Sequence, residues 1–295
     1  MYLTRHETNG GARWALDGGL LPASFTLDVL LQLPKAAIGG VLRAFPKGEP
    51  AAAYRLLAPV EATQEVWAAG VTYLRSRDAR EEESAVKDVY TRVYEAKRPE
   101  LFFKANGWRV VGHDAPIRVR ADSGWNVPEP ELTLVLNSAG EIVGHTVGND
   151  VSSRDIEGDN PLYLPQAKVY NGSCAIGPGL HIGDTERLKE LTIALEITRA
   201  GRTAFTGDTR TAQIKRPLDE LASYLMLELD FPRGAFLLTG TGIVPPQEFS
   251  LSPGDVVAIT IGDLTLENPV ASTEARGAAI GRIVREEMSK FTKGV

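Results

Sequence analysis

The stretch Val127–Asp150, VPEPELTLVLNSAGEIVGHTVGND, decides the fold class because it predicts a β-hairpin of two long strands. Side chains two residues apart point to the same face of a strand, so Glu129 and Glu131 project together. With Ala139–Gly140 as a two-residue loop, Asp150 lies opposite Glu129 on that face. The hairpin therefore predicts three carboxylates that converge at one end of the strand pair.

The three predicted carboxylates raise an electrostatic problem. Like charges at one spot repel each other and raise their own pKa values. A hard divalent cation removes this conflict, and an all-oxygen ligand set suits Mg²⁺, Mn²⁺ or Ca²⁺ rather than zinc. The other interpretation is a half-solvated hairpin along which acidic and apolar residues simply alternate. The Glu-x-Glu spacing alone does not distinguish the two.

Outward from the hairpin, short strand-like segments dominate the chain. They are predicted at residues 66–73, 101–103, 108–111, 117–119, 132–136, 141–147, 193–197, 256–261 and 264–266. Helices are predicted at residues 80–97, 218–229 and about 275–290, where Pro99 ends the first and Pro217 opens the second. This mixture lacks the regular βαβ alternation of a parallel sheet, and it favours an α+β fold with a β-rich core.

The chain divides by its pattern into two parts. Residues 1–62 contain short apolar stretches that Gly and Pro interrupt, which predicts a small N-terminal domain. The stretch Leu57–Ala62 is a plausible linker, after which residues 63–295 are predicted to form the main, catalytic domain. A length of 295 residues suits one large domain or a small and a large one.

Composition excludes several classes of partner. The chain has 38 acidic and 32 basic residues and a net charge of -6, with no block of Lys or Arg, so no nucleic acid partner is expected. The single cysteine, Cys174, excludes an internal disulfide framework and fits a reducing, cytoplasmic compartment. We find neither a signal-peptide pattern nor an apolar run of about 18–20 residues, so no membrane partner is expected.

Further polar residues stand near the hairpin in the sequence or at suggestive places. Lys168 follows Asp150 by 18 residues, and Glu100 and Lys104 bracket an apolar tripeptide. Thr241 lies in a Gly-containing, hydroxyl-rich loop that could meet an anionic substrate. A lone Lys is usually a solvated surface group and Thr-Gly-Thr is usually a turn, so it is their presence together that favours a site.

Six segments together resemble the fumarylacetoacetate hydrolase family over about residues 65–270. They are Glu129–Glu131 (EPE), Asp150–Asp155 (DVSSRD), Gln166–Lys168 (QAK), Ile176–Gly179 (IGPG), Leu238–Thr241 (LTGT) and Glu267–Pro269 (ENP). The resemblance implies a mixed β-roll with a few flanking helices, assembled as a homodimer or a dimer of dimers. It also implies Mg²⁺ or Mn²⁺ as the cofactor.

The resemblance assigns roles residue by residue. Glu129, Glu131 and Asp150 become the metal ligands. Lys168 becomes an active-site lysine, and Thr241 becomes a contact for the carboxylate of the substrate.

One family motif is absent from this chain. Family hydrolases that cleave C–C bonds carry N-Y-x-x-H-x-x-E after the first buried strand, and the His-Glu pair activates water. Counting from Tyr73, the His position holds Ser76 and the Glu position holds Ala79, neither of which is a general base at neutral pH. The departure favours a branch that needs no attacking water, and residues 98–104, 125–131 and 160–168 resemble the sugar-acid dehydratases of the family.

The expected reaction is therefore the dehydration of a 2-keto-3-deoxy sugar acid, such as 2-keto-3-deoxypentonate to 2,5-dioxopentanoate. Lys168 and Glu100 are the candidates for proton transfer, with Lys104 as a third or as a substrate contact. Further candidates for contacts with the sugar hydroxyls are Arg75, Tyr90, Tyr163 and Gln166.

Two other functions remain open from the sequence. A family hydrolase could cleave a 2,4-diketo acid of the acylpyruvate type to pyruvate with another base. A non-catalytic protein could keep the metal pocket to sense sugar acids, although Lys168 and Glu100 are not needed for binding alone. In all three cases the partner is a small 2-oxo acid.

Overall fold

The computed structural model describes residues 1–46, 48–83, 88–183 and 185–272. Within these ranges the chain forms a β-rich α+β fold, which confirms the predicted class. The helix predicted at about 275–290 lies outside the described residues. In the part of the chain that is described, every helix is too short or too polar to cross a bilayer.

The strands are short and spread along the whole chain. They are β1 Tyr2–Thr8, β2 Gly11–Leu16, β3 Gly19–Leu20, β4 Arg55–Leu57, β5 Glu65–Gly70, β6 Glu100–Asn106, β7 Ile117–Val119, β8 Asn126–Val127, β9 Pro130–Leu136, β10 Ile142–Asp150, β11 Ser152–Ser153, β12 Cys174–Ile182, β13 Thr192–Arg199, β14 Arg202–Arg210, β15 Ala235–Leu238, β16 Val256–Ile261 and β17 Leu264–Ser272.

The helices connect and flank these strands. They are α1 Leu27–Leu30, α2 Lys35–Ala44, α3 Leu74–Glu83, α4 Asp88–Glu95, α5 Arg154–Asp159, α6 Leu164–Lys168 and α7 Leu218–Leu225. Short 3₁₀ turns lie at Gly107–Arg109, Pro161–Tyr163 and Thr211–Gln213.

Two sheets carry most of the structure. The larger has the order β3-β2-β1-β12-β10-β9-β15-β5-β6, with β4 also paired to β1. The smaller has the order β14-β13-β16-β17-β7, and β8 pairs with β11 in a short separate ladder. The pairs β5–β15 and β7–β17 are parallel, whereas the other strand pairs are antiparallel. The result is a mixed sheet whose connections are not the helical crossovers of a βαβ fold.

The β9–β10 hairpin positions the three acids as predicted. Gly148 pairs with Glu131, and the Asp150 amide donates to the Glu129 carbonyl at 3.0 Å. The loop is longer than the predicted two residues, since β9 ends at Leu136 and β10 begins only at Ile142. A register shift early in β10 absorbs the difference, so the far end of the hairpin keeps the predicted pairing of Asp150 with Glu129.

Strand β9 is buried on both faces, which explains its continuous apolar run. Leu132, Leu134 and Leu136 pack into one core together with the smaller sheet and α7. Val135, which points the other way, packs into a second core with residues of α1 and α2. The hairpin is therefore held between two cores, and its acidic end is rigidly placed.

The N-terminal segment joins the main sheet through the pairing of β1 with β12. Leu3 and Trp14 belong to the same core as Val66 and Val135, so residues from both sides of position 62 are packed together. The division into a small domain at residues 1–62 and a catalytic domain at residues 63–295 stays a prediction.

Three predicted elements differ in the structure. The helix predicted at residues 80–97 is represented by α3 and α4. The sequence LRSRDAREEE of α3 is largely polar, so apolar periodicity could not reveal its start at Leu74. Helix α7 ends at Leu225 rather than at residue 229, because Leu227 and Leu229 are exposed and add no buried face. The strand predicted at residues 108–111 is a 3₁₀ turn with Trp108 exposed.

Candidate active site

A cleft opens where the carboxyl ends of the parallel strands β5 and β15 meet β6, β10 and four short helices. Its walls are formed by Ala69, Gly70, Val71, Ser76, Tyr90, Glu100, Phe102, Glu129, Asp150, Glu157, Leu164, Lys168, Gly240 and Thr241. Apolar and ionisable side chains both line the cleft, a combination found in ligand sites.

The predicted carboxylate triad lies at this cleft. Oxygen atoms of Glu129, Glu131 and Asp150 lie within 4.8 Å of one another, and all three residues are at most 3% exposed. Burial, followed by the negative charges of Asp150 and Glu129, raises the pKa of Glu131 well above its ordinary range. The Gly240 amide donates to Glu131 Oε2 at 2.6 Å and opposes this shift. Three buried carboxylates in one place fit a hard divalent cation with oxygen ligands.

Lys168 reaches directly into the triad. Its Nζ lies 2.8 Å from Glu129 Oε2, 3.2 Å from Asp150 Oδ2 and 2.6 Å from Ser152 Oγ. The ammonium also lies 5.7 Å from the centroid of the Phe102 ring. Because Lys168 is the last residue of α6 and only 2% exposed, the short helix delivers one cation to two of the three carboxylates.

Two further cations form ion pairs with carboxylates of the triad. Arg154, the first residue of α5, places Nη2 at 3.1 Å from Glu129 Oε1. Lys104 is fully buried, and its ammonium forms an ion pair with Asp150 Oδ1. Charge-assisted contacts of this kind fix the orientation of a carboxylate. Glu129 is therefore held from both sides by Lys168 and Arg154, and Asp150 by Lys168 and Lys104.

Glu100 also lines the cleft, and a glycine makes room for it. Gly70 at the end of β5 pairs with Glu100 at the start of β6. A Cβ atom at Gly70 would lie 2.0 Å from Glu100 Oε2, which is far inside contact distance. The absence of a side chain at Gly70 therefore allows the half-buried Glu100 carboxylate to lie against the backbone of β5.

The backbone adopts positive φ angles just after β5 and β15, next to Gly70 and Thr241. Val71 has a φ of 53°, an unfavourable value for a β-branched residue. Gly240 has a φ of 88°, and a Cβ there would lie 2.1 Å from Thr72 Oγ1. Thr72 Oγ1 itself donates to the Thr239 carbonyl at 2.6 Å, which ties the two strand ends together.

The structure brings together seven of the predicted site residues. They are Glu100, Glu129, Glu131, Asp150, Lys168, Tyr90 and Thr241. Lys104 pairs with Asp150 and is not among the residues that line the cleft, and its contact with substrate stays a prediction.

Three predicted substrate contacts are exposed and are not among the residues that line the cleft. In α6, Leu164 and Lys168 are four residues apart and both line the cleft, whereas Gln166 between them is exposed. Tyr163 is 40% exposed, and Arg75 is exposed while its neighbour Ser76 is buried in the wall. Short helices give no periodicity from which the exposure of these three side chains could be predicted. Contacts of Arg75, Tyr163 and Gln166 with substrate stay predictions.

Residues 65–271 match the family model described as fumarylacetoacetate (FAA) hydrolase, C-terminal. The chain belongs to the fumarylacetoacetate hydrolase family. The order of the motifs and the position of the triad confirm the resemblance on which the sequence interpretation rested.

Similar members of the family are sugar-acid dehydratases. A probable 2-keto-3-deoxyxylonate dehydratase of Haloferax volcanii is 53% identical over 216 residues, covering 72% of this chain and 74% of that protein. A 2-dehydro-3-deoxy-D-arabinonate dehydratase of Saccharolobus solfataricus is 44% identical over 222 residues, covering 73% of this chain and 74% of that protein. A solved structure of 2-keto-3-deoxy-D-arabinonate dehydratase, complexed with magnesium and 2,5-dioxopentanoate, is 35% identical with a TM-score of 0.77, over 93% of this chain and all of that one.

Sequence reasoning missed several residues of this family site. Arg154 lies inside the family-like segment Asp150–Asp155, so that segment contained a signal that could have been used. Ser152 lies in the same segment. Glu157 is buried in the cleft wall, but no helix was predicted at α5, so its direction had no sequence signal.

Ser76, which occupies the histidine position of the hydrolase motif by sequence count, lines the cleft. Its hydroxyl donates to the Tyr73 carbonyl at 2.8 Å. Ala79, in the glutamate position, is buried and offers no polar group.

Proposed function

We propose that this chain is a metal-dependent hydro-lyase that converts 2-keto-3-deoxypentonate to 2,5-dioxopentanoate and water. The observation that carries the proposal is the placement of the Lys168 ammonium on two buried carboxylates, with Glu100 lining the same cleft. The similarity to dehydratases of 2-keto-3-deoxy acids supports the same reaction class.

The metal in this proposal is Mg²⁺, held by Glu129, Glu131 and Asp150; Mn²⁺ and Ca²⁺ suit the same oxygen ligands. The buried triad fits a dication because the mutual repulsion that raises the pKa of Glu131 is relieved by a divalent positive charge. A bound dication supplies Lewis-acid polarisation to a 2-oxo acid. The related dehydratase structure is described as complexed with magnesium.

The proton movements fall to Lys168 and Glu100. A dehydration removes one proton from C3 and the hydroxyl from C4, and these leave together as water. Loss of a proton from C5 and return of one to C3 then move the double bond and give a C4=C5 enol. This enol loses its hydroxyl proton and gains a proton at C4, so that C4 becomes a methylene and C5 becomes the aldehyde. Lys168 and Glu100 both line the cleft and can serve these proton transfers on one bound acid.

The remaining walls provide the contacts that orient the substrate. Thr241 lines the cleft from the segment that follows β15 and is proposed to contact the substrate carboxylate. Tyr90 lines the cleft from α4 and is proposed to contact a sugar hydroxyl. Both residues are less than 10% exposed, so a ligand in the cleft would meet groups of fixed position.

The direct test is turnover of 2-keto-3-deoxypentonate by the purified protein with Mg²⁺. We expect a semialdehyde product, full loss of activity with EDTA and its return with Mg²⁺. Pyruvate release from a 2,4-diketo acid would instead support the hydrolase, and ligand binding without any turnover would support a sensor. Lys168→Ala separates the last case, because a sensor keeps much of its ligand response whereas an enzyme loses turnover.

Exchange of the C3 protons of the substrate with D₂O identifies which residue is the base. The variants are Lys168→Met and Glu100→Gln. The variant that stops exchange identifies the group that takes the C3 proton, and the other group then serves the C4 hydroxyl. Exchange at the wild-type rate in both variants would contradict the proposed pair.

Two coarser expectations stay predictions. A homodimer or a dimer of dimers is tested by sedimentation velocity over a range of concentrations. The cytoplasmic location rests on the single cysteine, Cys174, which is a buried free thiol.

A further inference from the structure

Lys104 is the most deeply buried cation of the site, and its ammonium is surrounded by oxygen atoms. Its Nζ donates to the Val151 carbonyl at 3.1 Å and to the Lys168 carbonyl at 2.5 Å, and it forms an ion pair with Asp150 Oδ1. A lysine ammonium has three N–H groups and no acceptor. Lys104 is 0% exposed and is not among the residues that line the cleft.

The acceptors of Lys104 belong to the two segments that build the site. Asp150 and Val151 end the β10 strand region, and Lys168 ends α6. The contact to Lys168 is made with its backbone carbonyl, while the Lys168 side chain points to Glu129. One cation therefore ties a triad carboxylate to the backbone of the catalytic lysine.

Helix α6 needs such an anchor. It has five residues, Leu164–Lys168, and a helix of this length is not stable by itself in water. Carbonyl groups at a helix C-terminus lack intrahelical partners and are stabilised by a positive charge. Ser173 Oγ also donates to the Lys168 carbonyl, at 2.8 Å, but it is neutral.

The backbone of β6 is shaped to aim Lys104 at this point. Ala105 pairs with Val66 and Phe103 pairs with Trp67, so Lys104 is the extra residue of a register shift in the strand. Such bulges redirect side chains and interrupt the alternation of the strand. Glu100 and Phe102, earlier in the same strand, line the cleft.

We propose that Lys104 is a positioning residue that couples Asp150 to Lys168, and that it makes no contact with the substrate. The part of this inference that concerns turnover rests on the proposed function. The part that concerns the placement of α6 does not, and the experiment separates the two.

The first measurement is amide hydrogen exchange in Lys104→Met and Lys168→Met. These variants remove two buried ammonium groups from the same cluster, but only Lys104 contacts the α6 backbone. Lys104→Met should lower protection of the Val169 amide, which donates to the Pro165 carbonyl at 2.9 Å, by about tenfold. Lys168→Met should leave it within about twofold. Equal losses in both variants, or none in Lys104→Met, would overturn the proposal.

A second pair of variants protects the test against misfolding. Lys104→Met leaves Asp150 with one cation fewer, and a buried carboxylate without compensation destabilises the fold. Lys104→Met combined with Asp150→Asn removes both charges, and α6 should still lose protection. Asp150→Asn alone keeps both carbonyl contacts of Lys104 and should retain that protection. Loss of protection in Asp150→Asn as large as in the double variant would show that α6 does not depend on the carbonyl contacts of Lys104, and it would overturn the proposal.

The second measurement is the kinetic effect. As a positioning residue, Lys104→Met lowers kcat and leaves KM within about twofold, and its effect shrinks when Lys168 is already Met. A rise in KM at unchanged kcat would show a direct substrate contact and overturn the proposal. If the wild-type protein shows no dehydratase turnover, the proposed function fails, while the exchange experiment still decides whether Lys104 anchors α6.

Discussion

Adding one methyl group at Gly70 should displace the Glu100 carboxylate without lowering the stability of the fold. In Gly70→Ala the new Cβ would lie 2.0 Å from Glu100 Oε2 and 2.5 Å from Cδ, whereas ordinary contacts begin near 3.4 Å. The carboxylate must therefore move by about 1.4 Å. The side chain of Glu100 is flexible at its end, so the movement costs little folding free energy.

The catalytic cost of this movement is large in comparison. A displacement of about 1 Å at a reacting group can lower the rate by about 10²-fold. We therefore expect kcat of Gly70→Ala to fall about 10²-fold, close to the value of Glu100→Gln, with a thermal midpoint near that of the wild type. Steady-state kinetics with 2-keto-3-deoxypentonate and a thermal melt measure the two effects.

The control for an added methyl group is Gly40→Ala. Gly40 lies in α2, and a Cβ there meets no atom within 4 Å, so activity should be unchanged and stability slightly raised. Wild-type kcat in Gly70→Ala would refute the assignment of Glu100 as a proton-transfer group. A large fall in the thermal midpoint would refute the claim that only the carboxylate moves.

Three other outcomes follow from the geometry of the triad. Lys168→Met should lower kcat by about 10²–10⁴-fold, which turnover assays measure, while circular dichroism should show that the fold is unchanged. Mg²⁺ at about 100 times its Kd should raise the free energy of unfolding by about 2.7 kcal/mol, and EDTA should reverse this, as denaturant titration would show. The raised pKa of Glu131 means that the metal-free folded protein binds this proton more tightly than the unfolded chain. Its contribution to stability is therefore present below pH 4.5 and lost as the pH rises through the folded-state pKa, a slope that Glu131→Gln should flatten.

The triad was predictable because it depends on two local rules. The period of two in a strand places Glu129 and Glu131 on one face, and antiparallel pairing brings Asp150 opposite Glu129. The loop of the hairpin was predicted too short, but the bulge in β10 compensated for it. The pairing of Asp150 with Glu129 was therefore predicted correctly although the length of the hairpin loop was not.

The roles around the triad were less predictable because they depend on contacts between distant segments. The contacts of Lys104 with Asp150, Val151 and Lys168 were not predicted, because these residues lie 46 or more positions away in the sequence. Helix α6 is too short for a periodic pattern, so the exposure of Gln166 could not be predicted. The absence of the water-activating pair, by contrast, was visible when the segment after Tyr73 was compared with the motif of the family hydrolases.

The most direct test of the whole account is a ¹³C NMR time course of the metal-replete protein with uniformly ¹³C-labelled 2-keto-3-deoxypentonate. The account predicts that the C4 and C5 signals of the substrate convert to a methylene and an aldehyde, so that all five carbons remain in one product, 2,5-dioxopentanoate, and that EDTA stops the conversion. Unchanged substrate, or cleavage into pyruvate and a two-carbon fragment, would contradict it.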